Sequence, residues 1–130
     1  PYPFHFRAAM REVEELQVDA YPLGVRADSC YPVVEVQLEP GDRIVFCSDG
    51  IVEAGNEAEE LFGFERTVEA IRRGCVQDLS GAALVEQILE EVKGFSAGVS
   101  QEDDQTIVTV GVEASADPTQ QIRQANYTNT

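Results

Sequence analysis

A chain of 130 residues, 43% hydrophobic and 25% charged, has the size and composition of one ordinary globular domain and not those of a disordered polar segment. Nine basic against 24 acidic residues leave a formal net charge of −15, which repels phosphate backbones and anionic lipid heads. Neither nucleic acid nor a membrane surface is therefore expected as a partner of this segment, and no apolar run approaches the roughly 18 residues of a membrane span. The three cysteines, Cys30, Cys47 and Cys75, are odd in number and fall in no CxxC or Cys/His spacing. That argues against a disulfide framework or a zinc site and for reduced thiols in the cytoplasm.

The chain opens on PYPFHF without Met and reads as a portion of something longer. Short strands are expected over PFHFRA (3–8) and VEELQV (13–18). VVEVQL (33–38) alternates, with Val34, Val36 and Leu38 on one side and Glu35, Gln37 and Glu39 on the other, and predicts a strand with one wet face. Pro40-Gly41-Asp42 supplies a tight turn. RIVFCS (43–48) lacks alternation, which predicts a central strand buried on both faces.

After Asp49-Gly50 the period changes. Phe64, Val68 and Ile71 recur at helical spacing in ELFGFERTVEAIRRG (60–74), with Arg72 and Arg73 in the last turn and Gly74 as the terminator. Ser80 caps a second helix over 81–94, striped by Leu84, Val85, Ile88, Leu89 and Val92 and closed by Gly94. A loop then leads to the β-branched strand TIVTVGVE (106–113). Residues 113–130 lack periodicity and read as a polar tail or linker, leaving 1–112 as the domain. Two helices in succession, not alternating with strands, predict an α+β fold with antiparallel or mixed strands.

Asp49 lies at the exit of one strand, while Asp103 and Asp104 lie at the entry of another. If those strands are antiparallel neighbours, the three carboxylates meet at one edge of the sheet. Two bare carboxylates about 4 Å apart repel by roughly 4 kcal/mol at an effective dielectric near 20. Such a group requires a proton or a cation, and oxygen ligands without His or Cys suit a hard ion such as Mg²⁺ or Mn²⁺. Gly50 leaves room for a hydrated ion to approach the backbone. On spacing alone, Asp-Gly at a strand end is most often a turn and Asp-Asp before a strand most often a solvated loop.

LEPGDRIVFCSDGIVEAGNEAEELFGFER, YPLGV (21–25) and DDQTIVTV (103–110) occur in order and with compatible spacing. Together they resemble the metal-dependent PPM-type serine/threonine phosphatases, and among them the SpoIIE/RsbU branch, over roughly residues 1–112. Ser48 stands where that branch usually has Thr. The resemblance implies an αββα sandwich, of which this chain is an incomplete C-terminal portion, and two Mg²⁺ or Mn²⁺ ions in the complete domain. It implies Asp49 and Asp103 as catalytic metal ligands, with Gly50 and Asp104 contributing to cofactor binding. Asp104 then orients its neighbour or a metal-held water, although the reverse assignment of Asp103 and Asp104 stays open. Such ions activate a water to attack phosphorus in line, so no protein nucleophile is required and His5 is given no direct part.

The resemblance further implies a phosphorylated regulatory protein as substrate, of the anti-sigma-factor antagonist type. The branch's earlier half, with a further strand aspartate and an Asp-x-x-Gly-His-Gly-like segment, has no counterpart here. The isolated chain is thus expected to hold an ion weakly, to turn over little or no substrate, and to leave strands exposed for self-association. Two other readings compete: a non-catalytic domain of the same fold acting in protein binding or signal relay, and an acidic structural domain with a chance motif.

Overall fold

The computed structural model describes residues 2–114 and 122–129. Its elements run β1 (Phe4–Arg7), β2 (Glu12–Glu15), β3 (Arg43–Cys47), α1 (Asp49–Val52), α2 (Gly63–Val76), α3 (Gly81–Phe95), β4 (Thr106–Val112) and β5 (Ile122–Asn129). The strands form one antiparallel sheet in the order β2-β1-β3-β4-β5, so β3 is central as its apolar run requires. The fold is α+β, and no helix among the described residues is long and apolar enough to cross a membrane.

The main core cluster lies on one face of the sheet. Phe4 and Phe6 of β1, Val45 and Cys47 of β3 and Ile107 of β4 meet Ala70, Ile71 and Cys75 of α2 and Leu84, Val85, Ile88 and Val92 of α3. The register places Ile44 opposite Val110 and Phe46 opposite Val108, and these side chains occupy the other face. There Phe46 is 44% exposed, so the double-sided burial expected of RIVFCS holds at Ile44 and fails at Phe46. An unbroken apolar run marks a strand apolar on both faces; it does not guarantee that both are covered.

α3 follows its sequence pattern closely: the Ser80 side chain accepts from the Ala83 N–H at 3.2 Å, and four of the five stripe residues are fully buried. Its end differs slightly, since Gly94 lies within the helix and Phe95 is the last helical residue. α2 departs further. Gly74 does not stop it; the helix continues to Val76, and a Cβ at Gly74 would lie 2.5 Å from Leu84 Cδ1. This glycine permits close approach of α2 and α3. Phe64 is half-exposed and packs on Phe4 with ring centroids 5.4 Å apart, while Thr67, Ala70, Ile71 and Cys75 form the buried stripe.

Two expectations fail in the strands. VVEVQL forms none: Val33 and Val34 are exposed, and both edges of β1 are already occupied by β2 and β3. β2 ends the sheet on that side, yet the segment does not pair with it, and half-buried Val36 and Leu38 are the trace of its alternation. Conversely, within the expected tail, Ile122–Asn129 forms β5 on the outer edge of β4. That pairing is made by backbone, which composition does not report.

A buried polar knot fastens the start of β3. His5 and Asp42 are almost completely buried, and His5 Nε2 lies 2.9 Å from Asp42 Oδ2. Asp42 also accepts from the backbone N–H groups of Ala8 at 2.9 Å and Glu39 at 3.1 Å. Burial pushes this carboxyl up, but the hydrogen bonds from Ala8, Glu39 and His5 outweigh it and hold Asp42 below its ordinary value. His5 therefore serves the sheet, in a strand as expected.

Candidate functional site

β3 delivers its last residue, Cys47, opposite Ile107 of β4, so the chain leaving β3 emerges beside the chain entering β4. Ser48 joins the two. Its N–H donates to the Thr106 carbonyl at 2.9 Å; its hydroxyl donates to the Asp104 carbonyl at 3.0 Å and accepts from the Thr106 N–H at 2.9 Å. A threonine would bring the same hydroxyl, which explains physically why Ser48 is a mild replacement.

Directly after Ser48 the backbone turns into α1, and Gly50 is buried beneath the acidic loop. A Cβ on Gly50 would lie 2.3 Å from the Asp104 carbonyl oxygen and 3.1 Å from that of Asp103. The glycine thus admits backbone, and the Asp103–Asp104 peptide crosses over the Asp49-Gly50 corner. Asp49, Asp103 and Asp104 are all exposed residues at this one corner. Asp103 Oδ1 accepts the N–H of Asp104 at 2.8 Å, and the Gln101 amide donates to the Asp103 carbonyl at 2.8 Å, which shapes the loop from within.

The chemistry of this donor set is that of part of a hard-cation site, with carboxylates and backbone carbonyls at one corner. No group of three or more His, Cys, Asp or Glu side chains able to hold a metal ion forms among the described residues. The sequence-level convergence of the two segments is therefore found in the backbone, without a closed ligand cage.

Beside the corner opens a cleft of about 840 Å³, walled by the loop after α1, the end of α3 and the loop before β4. Glu53, Glu57, Glu59, Glu102 and Asp103 line it together with Lys93, a wall that favours cationic groups. Neither the bridging role of Ser48 nor this cleft is legible in the sequence. The signal for Ser48 was its hydroxyl beside Asp-Gly; the cleft arises from three separate loops and had none.

Comparison with known proteins follows the same residues. Protein IcfG of Synechocystis sp. is 24% identical over 88 residues, a stretch covering 68% of this chain and 13% of that protein. This chain thus spans a small part of that relative's length, and no solved structure matches. The sequence model of one family, Stage II sporulation protein E (SpoIIE), matches residues 1–113, which include the Ser48–Gly50 corner, both helices after it and the acidic loop packed against it. A match over nearly the whole described core identifies the chain as a member of the SpoIIE family, a family of phosphatase-type domains.

Proposed function

We propose that this chain is the C-terminal part of a metal-dependent serine/threonine phosphatase domain acting in bacterial signal transduction in the cytoplasm. Its substrate is the phosphoserine or phosphothreonine of a regulatory protein of the anti-sigma-factor antagonist type. The observation that carries this reading is the passage of the Asp103–Asp104 backbone over Gly50, tied by Ser48. Asp49 and Asp103 are the proposed ligands of a divalent ion, Asp104 orients the loop, and Gly50 keeps the corner open. When bound, Mg²⁺ or Mn²⁺ supplies Lewis acidity toward water and the phosphoryl group. The protein's own part is to hold carboxylates at a solvent-accessible corner and to present an acidic cleft beside them.

In this reading the uncovered sheet face with Phe46 packs against a second sheet of an αββα sandwich, and residues outside this chain complete the ligand set. The test uses the full-length parent with p-nitrophenyl phosphate and Mn²⁺. Asp49→Asn and Asp103→Asn should each lower turnover by about a hundredfold or more, while the isolated 130 residues should show little or none. Turnover that is metal-independent, or unchanged in both variants, would refute it. One observation favours a second reading, a non-catalytic domain for protein binding or signal relay: the described residues alone form no three-ligand cluster. A parent without metal-dependent turnover would establish that alternative.

A further inference from the structure

The end of β3 away from Asp49 carries a second, part-open cavity of about 300 Å³. Arg43, Thr109, Ser80 and Gly81 line it, together with the acidic residues Asp42, Asp78 and Glu113. Thr109 is 2% exposed, and its buried hydroxyl has no hydrogen-bond partner among the described residues. A hydroxyl removed from water without a partner is unfavourable, and the residue that carries this one lines a cavity able to hold an acceptor.

Two further groups border the same space. The N-terminus of the 15-residue helix α3 opens there: Ser80 caps the Ala83 N–H, while helix geometry leaves the N–H groups of Gly81 and Ala82 without intrahelical acceptors. They carry roughly half an elementary positive charge. The Arg43 side chain is only 15% exposed; it donates to the Leu79 carbonyl and pairs with Asp78 at 3.3 Å. A guanidinium has five N–H donors, so donors remain for another acceptor. Of the acidic neighbours, Asp42 is committed to His5, Ala8 and Glu39, Glu113 is exposed, and the Asp78 side chain is 97% exposed at the rim.

We infer that this cavity is a binding site for a small oxyanion of phosphate size, held by Arg43, the α3 N-terminus and the Thr109 hydroxyl as donor. The anion competes with Asp78 for Arg43. Its position, a β3 length of roughly 17 Å from the Asp49 corner, makes it independent of the proposed catalytic chemistry.

Titration of the isotopically labelled chain with inorganic phosphate, at constant ionic strength set by chloride, tests this through amide chemical shifts. Saturable shifts are expected at Gly81, Ala82 and Thr109. Thr109→Val should weaken phosphate binding by about tenfold while keeping or raising the melting temperature, because the lost hydroxyl has no partner among the described residues. Asp78→Asn should tighten binding several-fold, and sulfate should compete. Non-saturating shifts, unchanged affinity in Thr109→Val, or shifts confined to the Asp49 and Asp103 corner would each overturn the assignment and leave a water-filled cavity.

Discussion

At Gly50 the obstacle to any side chain is backbone, the Asp104 carbonyl 2.3 Å from where a Cβ would stand, and that carbonyl is tied to Ser48 two residues before β4. Gly50→Ala should therefore cost about 1–3 kcal/mol in urea unfolding and displace the acidic loop. Ser48→Thr should preserve stability, whereas Ser48→Ala removes both hydroxyl-mediated bonds and should cost about 1–3 kcal/mol in the same measurement. The hydroxyl's role could not be read from the sequence because its partners lie 56 and 58 positions further along. Thiol chemistry separates the cysteines: burial pushes Cys47 up to about 12 and Cys75 up to about 11, while Cys30 is exposed. Ellman's reagent at mildly alkaline pH should label Cys30 rapidly in the native protein and all three cysteines only after denaturation.

Among the elements, α3 was the most legible because cap, stripe and length are all local properties of its own residues. α2 was half legible: its periodicity marked a helix, but Gly74 served a contact with Leu84 that local rules read as an ending. The lead into β3 makes a pH prediction. The Asp42 carboxyl is depressed in the folded state, so its contribution is fully present above the unfolded value of about 3.9 and is lost as pH falls through the lower folded value. The stability difference between the wild type and Asp42→Asn should accordingly be largest near neutrality and shrink below about pH 4 in chemical denaturation. A difference that stayed constant with pH would show that Asp42 acts through shape alone.

Over the whole molecule, the α+β class could be argued from element order and the neighbouring of β3 and β4 posed as the condition for the carboxylates to meet, whereas the edges of the sheet could not be read. The segment at 33–38 has the pattern of a strand without a partner, and Ile122–Asn129 has a partner without the pattern. Pairing is a property of two segments at once, and one-dimensional periodicity is blind to it. The helices cover a single face, which should make mutational costs lopsided. Ile107→Ala, fully buried, should cost about 2–5 kcal/mol, while Phe46→Ala on the uncovered face should cost well under that by thermal denaturation. β3 is also clamped at both extremities, by the Asp42 knot before Arg43 and by Ser48 after Cys47. Sliding it by one residue would undo both fastenings and turn Val45 out of the core. The aim of Asp49 is thus inherited from the far side of the sheet, and the strand works as a ruler whose zero is set at His5.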